Sequence, residues 1–276
     1  MSNRLTHALM GALAAAALFA SPVMAKMDAA TEAELKKALA GSHRSDANKA
    51  RDQHRHPLET LKFFGLSKNM KVMEVWPGGG WYTEVLAPVL KDNYIAAHWD
   101  PARSEGAKKQ VDAFKADLEK NAALYGKPTV AVLMPQTNQM TPVPAGSVDM
   151  VLTFRNIHNW MGNGSAEAMV KVFHDALKPG GYLGVVEHRA KTDQPQDPKA
   201  TSGYVREDYA QGIIEAAGFK LVAKSEVNAN PKDTKDYPKG VWTLPPTYRE
   251  GDVDKAKYTA IGESDRFTHL YQKPAK

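Results

Sequence analysis

Apolar residues recur along this chain in two rhythms. Short apolar runs occupy 71–75 (KVMEV), 94–99 (YIAAHW), 129–134 (TVAVLM), 148–154 (VDMVLTF), 182–187 (YLGVVE), 219–225 (FKLVAKS) and 266–272 (RFTHLYQ). Their length and their Val, Ile and aromatic content are those of strands. Between them, 82–90, 105–125, 166–177 and 207–217 return apolar residues at helical spacing. Lys178-Pro-Gly-Gly181 reads as a turn, and Gly218 as a helix stop. Strands alternating with helices predict a doubly wound α/β fold, with a mostly parallel, seven-stranded sheet covered on both faces.

Two segments stand outside this rhythm. Residues 27–50, rich in Ala, Lys and Glu, predict an amphipathic helix carrying Leu35 and Leu39, and Pro57 permits a second helix that Gly65 ends. Together they form an N-terminal helical cap over 26–65, ahead of the main domain at 66–276. The proline-rich stretch 228–262 is long for a connection, and its Tyr237, Trp242, Tyr248 and Tyr258 favour a lid-like insertion before the last strand over a disordered loop.

The first 25 residues read as a secretory signal peptide: basic Arg4, an alanine-rich apolar run over 8–20, then Val23-Met24-Ala25 as cleavage site. The run falls short of the roughly 20 residues that span a bilayer. The expectation is a periplasmic protein with no stable membrane insertion after cleavage. The chain has no cysteine, which excludes disulfides, thiolate metal sites and a lipoprotein anchor. Net charge is +5, with basic residues dispersed rather than gathered as on a nucleic-acid-binding face, so no nucleic acid is expected.

In a doubly wound sheet, ligands bind beyond the carboxyl ends of the strands. The first strand runs into Gly78-Gly79-Gly80, where a backbone can approach a ligand closely and a helix start offers free N–H groups. Asp100 stands 20 residues beyond Gly80, at the end of the second strand, a spacing suited to ribose hydroxyls.

VMEVWPGGGWYT, AAHWDP, GSVDMVLTFRNIHNW, VFHDALKPGGYLGVVEHR and EAAGFKLV resemble, in order, the motifs of class I S-adenosylmethionine-dependent methyltransferases over about 58–225 plus the final strand. RHPLETLKFFGL, the WPGGGWYT loop and IGESDRFTHLYQKP resemble, more narrowly, a group of exported methyltransferases known from sequence. The resemblance implies a Rossmann-like fold and S-adenosyl-L-methionine as cofactor. It implies that Glu74 approaches the methionine amino group, that Gly78, Gly79 and Gly80 lie along the cofactor, and that Asp100 holds the ribose. Gln136 or Asn138 stands where the family reads adenine, and Asn156 is counted with the cofactor contacts. Trp76 replaces the family's first glycine; it either lines the pocket with a face that attracts a sulfonium cation or blocks the usual pose.

Around the strand ends, His158 is the candidate general base, because imidazole titrates near neutrality; capping of the following loop is its competing role. Tyr204 and Tyr82 are candidate acceptor-positioning hydroxyls. Arg155, Arg189 and Arg206 are candidate clamps for a carboxylate or phosphate, so the expected small-molecule substrate includes anionic ones. Five histidines, His43, His54, His56, His158 and His188, lack ligand-pair spacing with an acid, and no metal is expected. Three readings compete: a small-molecule methyltransferase, a non-catalytic binding protein on the same fold, and a nicotinamide oxidoreductase. The last is disfavoured because Thr83 breaks the GxGxxG spacing.

Overall fold

The computed structural model describes residues 26–134 and 139–275. The expected signal peptide, Gln136 and Asn138 lie outside the described residues.

The N-terminal cap contains α1 (Ala29–Ala40), α2 (Asp46–Lys49), α3 (Asp52–Arg55) and α4 (Pro57–Phe63). The single helix expected over 27–50 is broken after Ala40. Gly41 turns the chain with its N–H on Ala38 O, and a Cβ there would fall 2.4 Å from the His43 ring. Ser45 then restarts a helix by accepting the Asn48 N–H. Pro57 opens α4, as its fixed φ allows.

The main domain follows as β1 (Val72–Val75), α5 (Thr83–Leu90), β2 (Tyr94–His98), α6 (Glu105–Lys120), α7 (Ala122–Tyr125), β3 (Thr129–Met134), β4 (Gln139–Thr141) and β5 (Val148–Phe154). It continues through α8 (Ile157–Gly162), α9 (Ala166–Ala176), β6 (Leu177–His188), α10 (Glu207–Ala216), β7 (Lys220–Ser225), α11 (Lys255–Ile261) and β8 (Arg266–Gln272). The strands form one sheet in the order β4-β3-β2-β1-β5-β6-β8-β7. Pairing is parallel from β3 through β6, while β8 runs antiparallel to both its neighbours. The doubly wound α/β sheet expected from the alternating pattern is therefore present, with eight strands instead of seven. The additional β4 folds back antiparallel on β3, pairing Gln139 with Met134. Lys178 to Gly181, expected as a turn, form an irregularity inside β6, where pairing jumps from Val148–Leu177 to Met150–Tyr182.

Alternate residues of each strand feed opposite layers, as the two-residue period of a strand requires. Met73, Val75, Ile95 and Ala97 pack with Trp160, Phe173 and Ile214 from α8, α9 and α10. Val72, Tyr94 and Ala96 pack with Leu35, Val85 and Phe114 on the other face. The switch in connection direction falls between β1 and β5, which places the ends of those strands at the mouth of the sheet.

The stretch 228–262 is tied down rather than loose. Asn228 is buried and donates to Thr60 Oγ1 and Thr268 Oγ1, each at 2.9 Å. Asn230 donates to the carbonyls of Ile261 and Glu263. Its Trp242 ring lies edge-on to His158, with centroids 5.9 Å apart. Among the described residues no helix is long and apolar enough to cross a membrane.

Candidate functional site

The end of β1 sets the geometry of the site. Glu74 points to the α5 side, where Tyr94 Oη donates to its Oε2 at 2.6 Å and Thr83 Oγ1 at 3.3 Å. Burial pushes its carboxyl up to about 7, although both hydrogen bonds pull the other way. Trp76 follows with φ +47°, and Gly78 and Gly80 also have positive φ. A tryptophan thus holds a left-handed backbone that favours glycine, at a strain of order 1–3 kcal/mol. A Cβ built on Gly78 or Gly79 would meet nothing within 4 Å, so this face of the loop is open.

Two cavities adjoin the loop. One, of about 310 Å³, is lined by Glu74, Trp76, Gly78, Arg51, Arg55 and Arg155 among others. The other, of about 320 Å³, is lined by Trp76, Trp99, Asp100 and Arg103 among others. Trp76 belongs to both and stands between them. Its indole packs against Trp99 at 5.8 Å and Trp160 at 6.0 Å between ring centroids, and its Nε1 is buried with no hydrogen-bond partner among the described residues. Asp100 caps the turn that follows β2, its Oδ1 accepting the Ala102 N–H at 2.8 Å.

The first cavity is cationic. Glu263, almost fully buried, receives Arg51 Nε at 2.6 Å, Arg55 Nε at 3.0 Å and Arg266 Nη2. Burial opposes ionisation of Glu263, but the surrounding guanidiniums outweigh it and hold the carboxyl far below the usual range. Arg55 also lies over the Trp81 ring at 4.5 Å. Arg155 has φ +61°, and burial followed by repulsion from Arg266 pushes it down to about 10.

Beside the arginines, the ends of β5 and β6 bring two histidines and an acid together. His158 Nδ1 lies 3.1 Å from Glu187 Oε1, and the His158 and His188 rings are 5.3 Å apart. Glu187 is fully buried and also accepts backbone N–H groups of Ile157 at 2.6 Å and His188 at 2.8 Å. This fixes Nδ1–H of His158 as the donor to the carboxylate and leaves Nε2 as the basic atom. His188 Nδ1 meets Ser264 Oγ at 2.5 Å. Burial, then the charges of His158, Arg266, Arg155 and Arg55, push the His188 pKa well down and keep it neutral. One ligand atom from each of His158, Glu187 and His188 lies within 4.8 Å of the others, a grouping that would suit a metal. Both Glu187 oxygens, however, already accept protein N–H groups, which makes the carboxylate an orienting group.

The expected site residues divide. Glu74, Trp76, Gly78, Gly79, Arg155 and Asn156 line the first cavity, and Asp100 the second. Gly80 is turned from the open face, its Cβ position 3.6 Å from Phe114 and Thr83. Asn156 donates to Val75 O at 2.9 Å and so ties β5 to the end of β1. Tyr204 is buried and commits its hydroxyl to Asp233 at 2.9 Å. Tyr82 stacks on Phe154 with centroids 3.5 Å apart. Arg189 pairs with Glu226 and Arg206 with Asp208, so neither reaches the first cavity. Sequence reasoning missed Glu187, an acid in the apolar run VVEH, and the convergence of Arg51, Arg55 and Arg266 on Glu263.

No family model and no curated protein matches the chain. Solved structures do. A SAM-dependent methyltransferase from Aquifex aeolicus is similar over 88% of this chain and 98% of its own, at 19% identity and a TM-score of 0.52. A putative sarcosine dimethylglycine methyltransferase from Galdieria sulphuraria is similar over 83% and 86%, at 13% identity and a TM-score of 0.53. The chain has the class I methyltransferase fold. The same fold is shared by the [4+2]-cyclase SpnF, over 91% of this chain and 98% of that one, at 14% identity and a TM-score of 0.57.

S-adenosylmethionine has an amino-acid end and a ribose, and the residues of the two cavities can be matched against each. The open Gly78–Gly79 backbone and Glu74 suit its amino-acid end. Asp100, with Oδ2 free of hydrogen bonds among the described residues, suits ribose hydroxyls. The residues at both ends fit the cofactor, and the Trp76 indole forms the boundary between them.

Proposed function

We propose that this chain is an S-adenosylmethionine-dependent methyltransferase acting on a small molecule, exported to the periplasm. The observation that carries the reading is the pairing of an open glycine cradle at Gly78–Gly79 with Asp100 at the end of the neighbouring strand. Glu74 and the cradle would hold the amino-acid end of the cofactor and Asp100 its ribose. The bound cofactor would supply a methyl group activated on a sulfonium.

The rest of the chemistry falls to the chain's own side chains. Methyl transfer is a displacement in which positioning and exclusion of water dominate. Trp242, from the tied-down insertion, covers the His158 ring on one side. His158 Nε2 would accept the proton that the acceptor loses, while Glu187 holds Nδ1–H and stabilises the imidazolium that forms. Neutral His188 beside it adds no opposing charge. Incubating the protein with S-adenosylmethionine and a panel of small acceptors tests this as formation of S-adenosylhomocysteine. Turnover that His158→Asn removes supports it. Turnover unaffected by that change would put the base elsewhere.

Export rests on the sequence layout of residues 1–25 and is read by N-terminal sequencing of the periplasmic protein. A start at Lys26 is expected, which spares Met27, packed in the core. A second reading, a non-catalytic binding protein, is favoured by one observation: the Trp76 indole lies between the two cavities that one cofactor would bridge. Cofactor binding separates the two.

A further inference from the structure

We propose that Arg51, Arg55 and Arg155, which line the first cavity together with Glu74 and the glycine cradle, bind an anionic group of the methyl acceptor, a carboxylate or a phosphate, beside the place given to the cofactor's amino-acid end. The word acceptor rests on the methyltransferase reading; the anion site does not.

Four guanidiniums, those of Arg51, Arg55, Arg155 and Arg266, act on one carboxylate, Glu263. Arg155 also acts on Glu74, and these two carboxylates, even fully ionised, balance only two of the four positive charges. Buried charge without compensation is costly, so such a surplus needs a partner. The donors needed to bind one are in place. Arg51 and Arg55 each reach Glu263 through Nε, and their Nη groups have no hydrogen-bond partner among the described residues. The Arg155 guanidinium makes no hydrogen bond or ion pair there at all, although it lines the cavity. Its backbone is held at φ +61° by its N–H on Val186 O at 2.7 Å, a strained conformation that keeps the residue at this place.

The cofactor itself does not balance these charges. Its amino-acid end has one carboxylate and one ammonium, and its sulfonium adds a further positive charge. A ligand with net negative charge is required, and guanidiniums favour the planar or tetrahedral oxyanions of carboxylates and phosphates through paired N–H donors. A cavity of about 310 Å³ is at the small end of ligand pockets, which fits a compact anion.

The test is calorimetric titration with inorganic phosphate, and separately with succinate, against sodium chloride at equal ionic strength and without cofactor. Saturable binding of either is expected, weakened at least tenfold by Arg155→Gln and unchanged by Arg189→Gln, whose arginine pairs with Glu226 away from the cavity. Arg51→Gln serves as the second variant if Arg155→Gln does not fold. Binding of phosphate alone assigns a phosphorylated acceptor; binding of succinate alone assigns a carboxylic acid. Both titrations are repeated with saturating S-adenosylhomocysteine. Retained anion binding supports the proposal, whereas displacement would give the arginines to the cofactor's own carboxylate and overturn it. No binding of either anion, or full affinity in the folded arginine variants, also overturns it. Anion binding in a protein that ignores S-adenosylhomocysteine would leave the anion site standing and remove the methyltransferase reading.

Discussion

His158 Nδ1 lies 3.1 Å from Oε1 of Glu187, a fully buried carboxylate that also takes the Ile157 and His188 backbone N–H groups. One acid therefore caps the start of α8 and sets the tautomer of the candidate base. Glu187→Gln keeps the shape but loses acceptor capacity, leaving a buried donor unpaired. A loss of roughly 1–3 kcal/mol in unfolding free energy is expected. Methyl-transfer rate is expected to fall by about 10² to 10⁴ in His158→Asn. Glu187→Gln is expected to lower it as well and to shift the acidic limb of the pH–rate profile, where a general base is lost to protonation. An unchanged profile would reduce Glu187 to a helix cap.

Trp76 is the residue on which the cofactor reading turns. Trp76→Gly removes a buried indole, a change that typically costs about 3–5 kcal/mol, and relieves left-handed strain of order 1–3 kcal/mol. Chemical denaturation is expected to show a net loss of stability. Affinity for S-adenosylhomocysteine is expected to rise at least tenfold, because the boundary between the two cavities disappears. Affinity that falls together with stability would make the indole a ligand contact and not a wall.

Asp100 has one oxygen committed to the Ala102 N–H and one free of hydrogen bonds among the described residues. Asp100→Asn retains a capping oxygen but removes the charge offered to ribose. Weakening by roughly 10- to 100-fold is expected, the worth of about 1.5–3 kcal/mol for a hydrogen bond to a charged group. Unfolding measured alongside is expected to change by less than about 1 kcal/mol. Equal affinity in the variant would remove the ribose assignment.

Stability is expected to depend on pH through Glu74. Burial raises its carboxyl from 4.5 to about 7, so between those values the folded chain holds a proton that the unfolded chain has released. Stability from this group therefore falls as pH rises through the window, by roughly 3 kcal/mol at about 1.4 kcal/mol per pH unit. Three imidazoles act in the opposite sense. Burial pushes His98 and His269 down to about 4 and His188 well down, so the unfolded chain gains protons below 6.5 that the folded chain does not. Their contribution is lost as pH falls from 6.5. Comparing urea unfolding of the protein and Glu74→Gln at pH 5 and pH 8 isolates the acid. The difference is expected to move against the unsubstituted protein at the higher pH, and parallel profiles would contradict a raised carboxyl.

The strands were legible because each is a local apolar run whose alternate residues serve two faces. Glu74, Gly78, Gly79 and Asp100 were legible for the same reason, since their place depends only on the ends of β1 and β2. β4 was not, because Gln139-Met-Thr141 has no apolar pattern of its own and exists by pairing with β3. His158 and Glu187 are 29 residues apart and meet only because β5 and β6 are paired side by side. Arg51 and Glu263 are separated by 212 residues and meet only once the cap, the insertion and β8 have packed. Trp76 was recognised as a departure from glycine, but its role as a shared wall needed both cavities in view.

Calorimetric titration of the protein, freed of residues 1–25, with S-adenosylmethionine and S-adenosylhomocysteine tests the cofactor site most directly. Saturable binding of both at one site per chain is expected. No heat with either ligand at millimolar concentration would contradict the methyltransferase reading and favour a binding protein on the same fold.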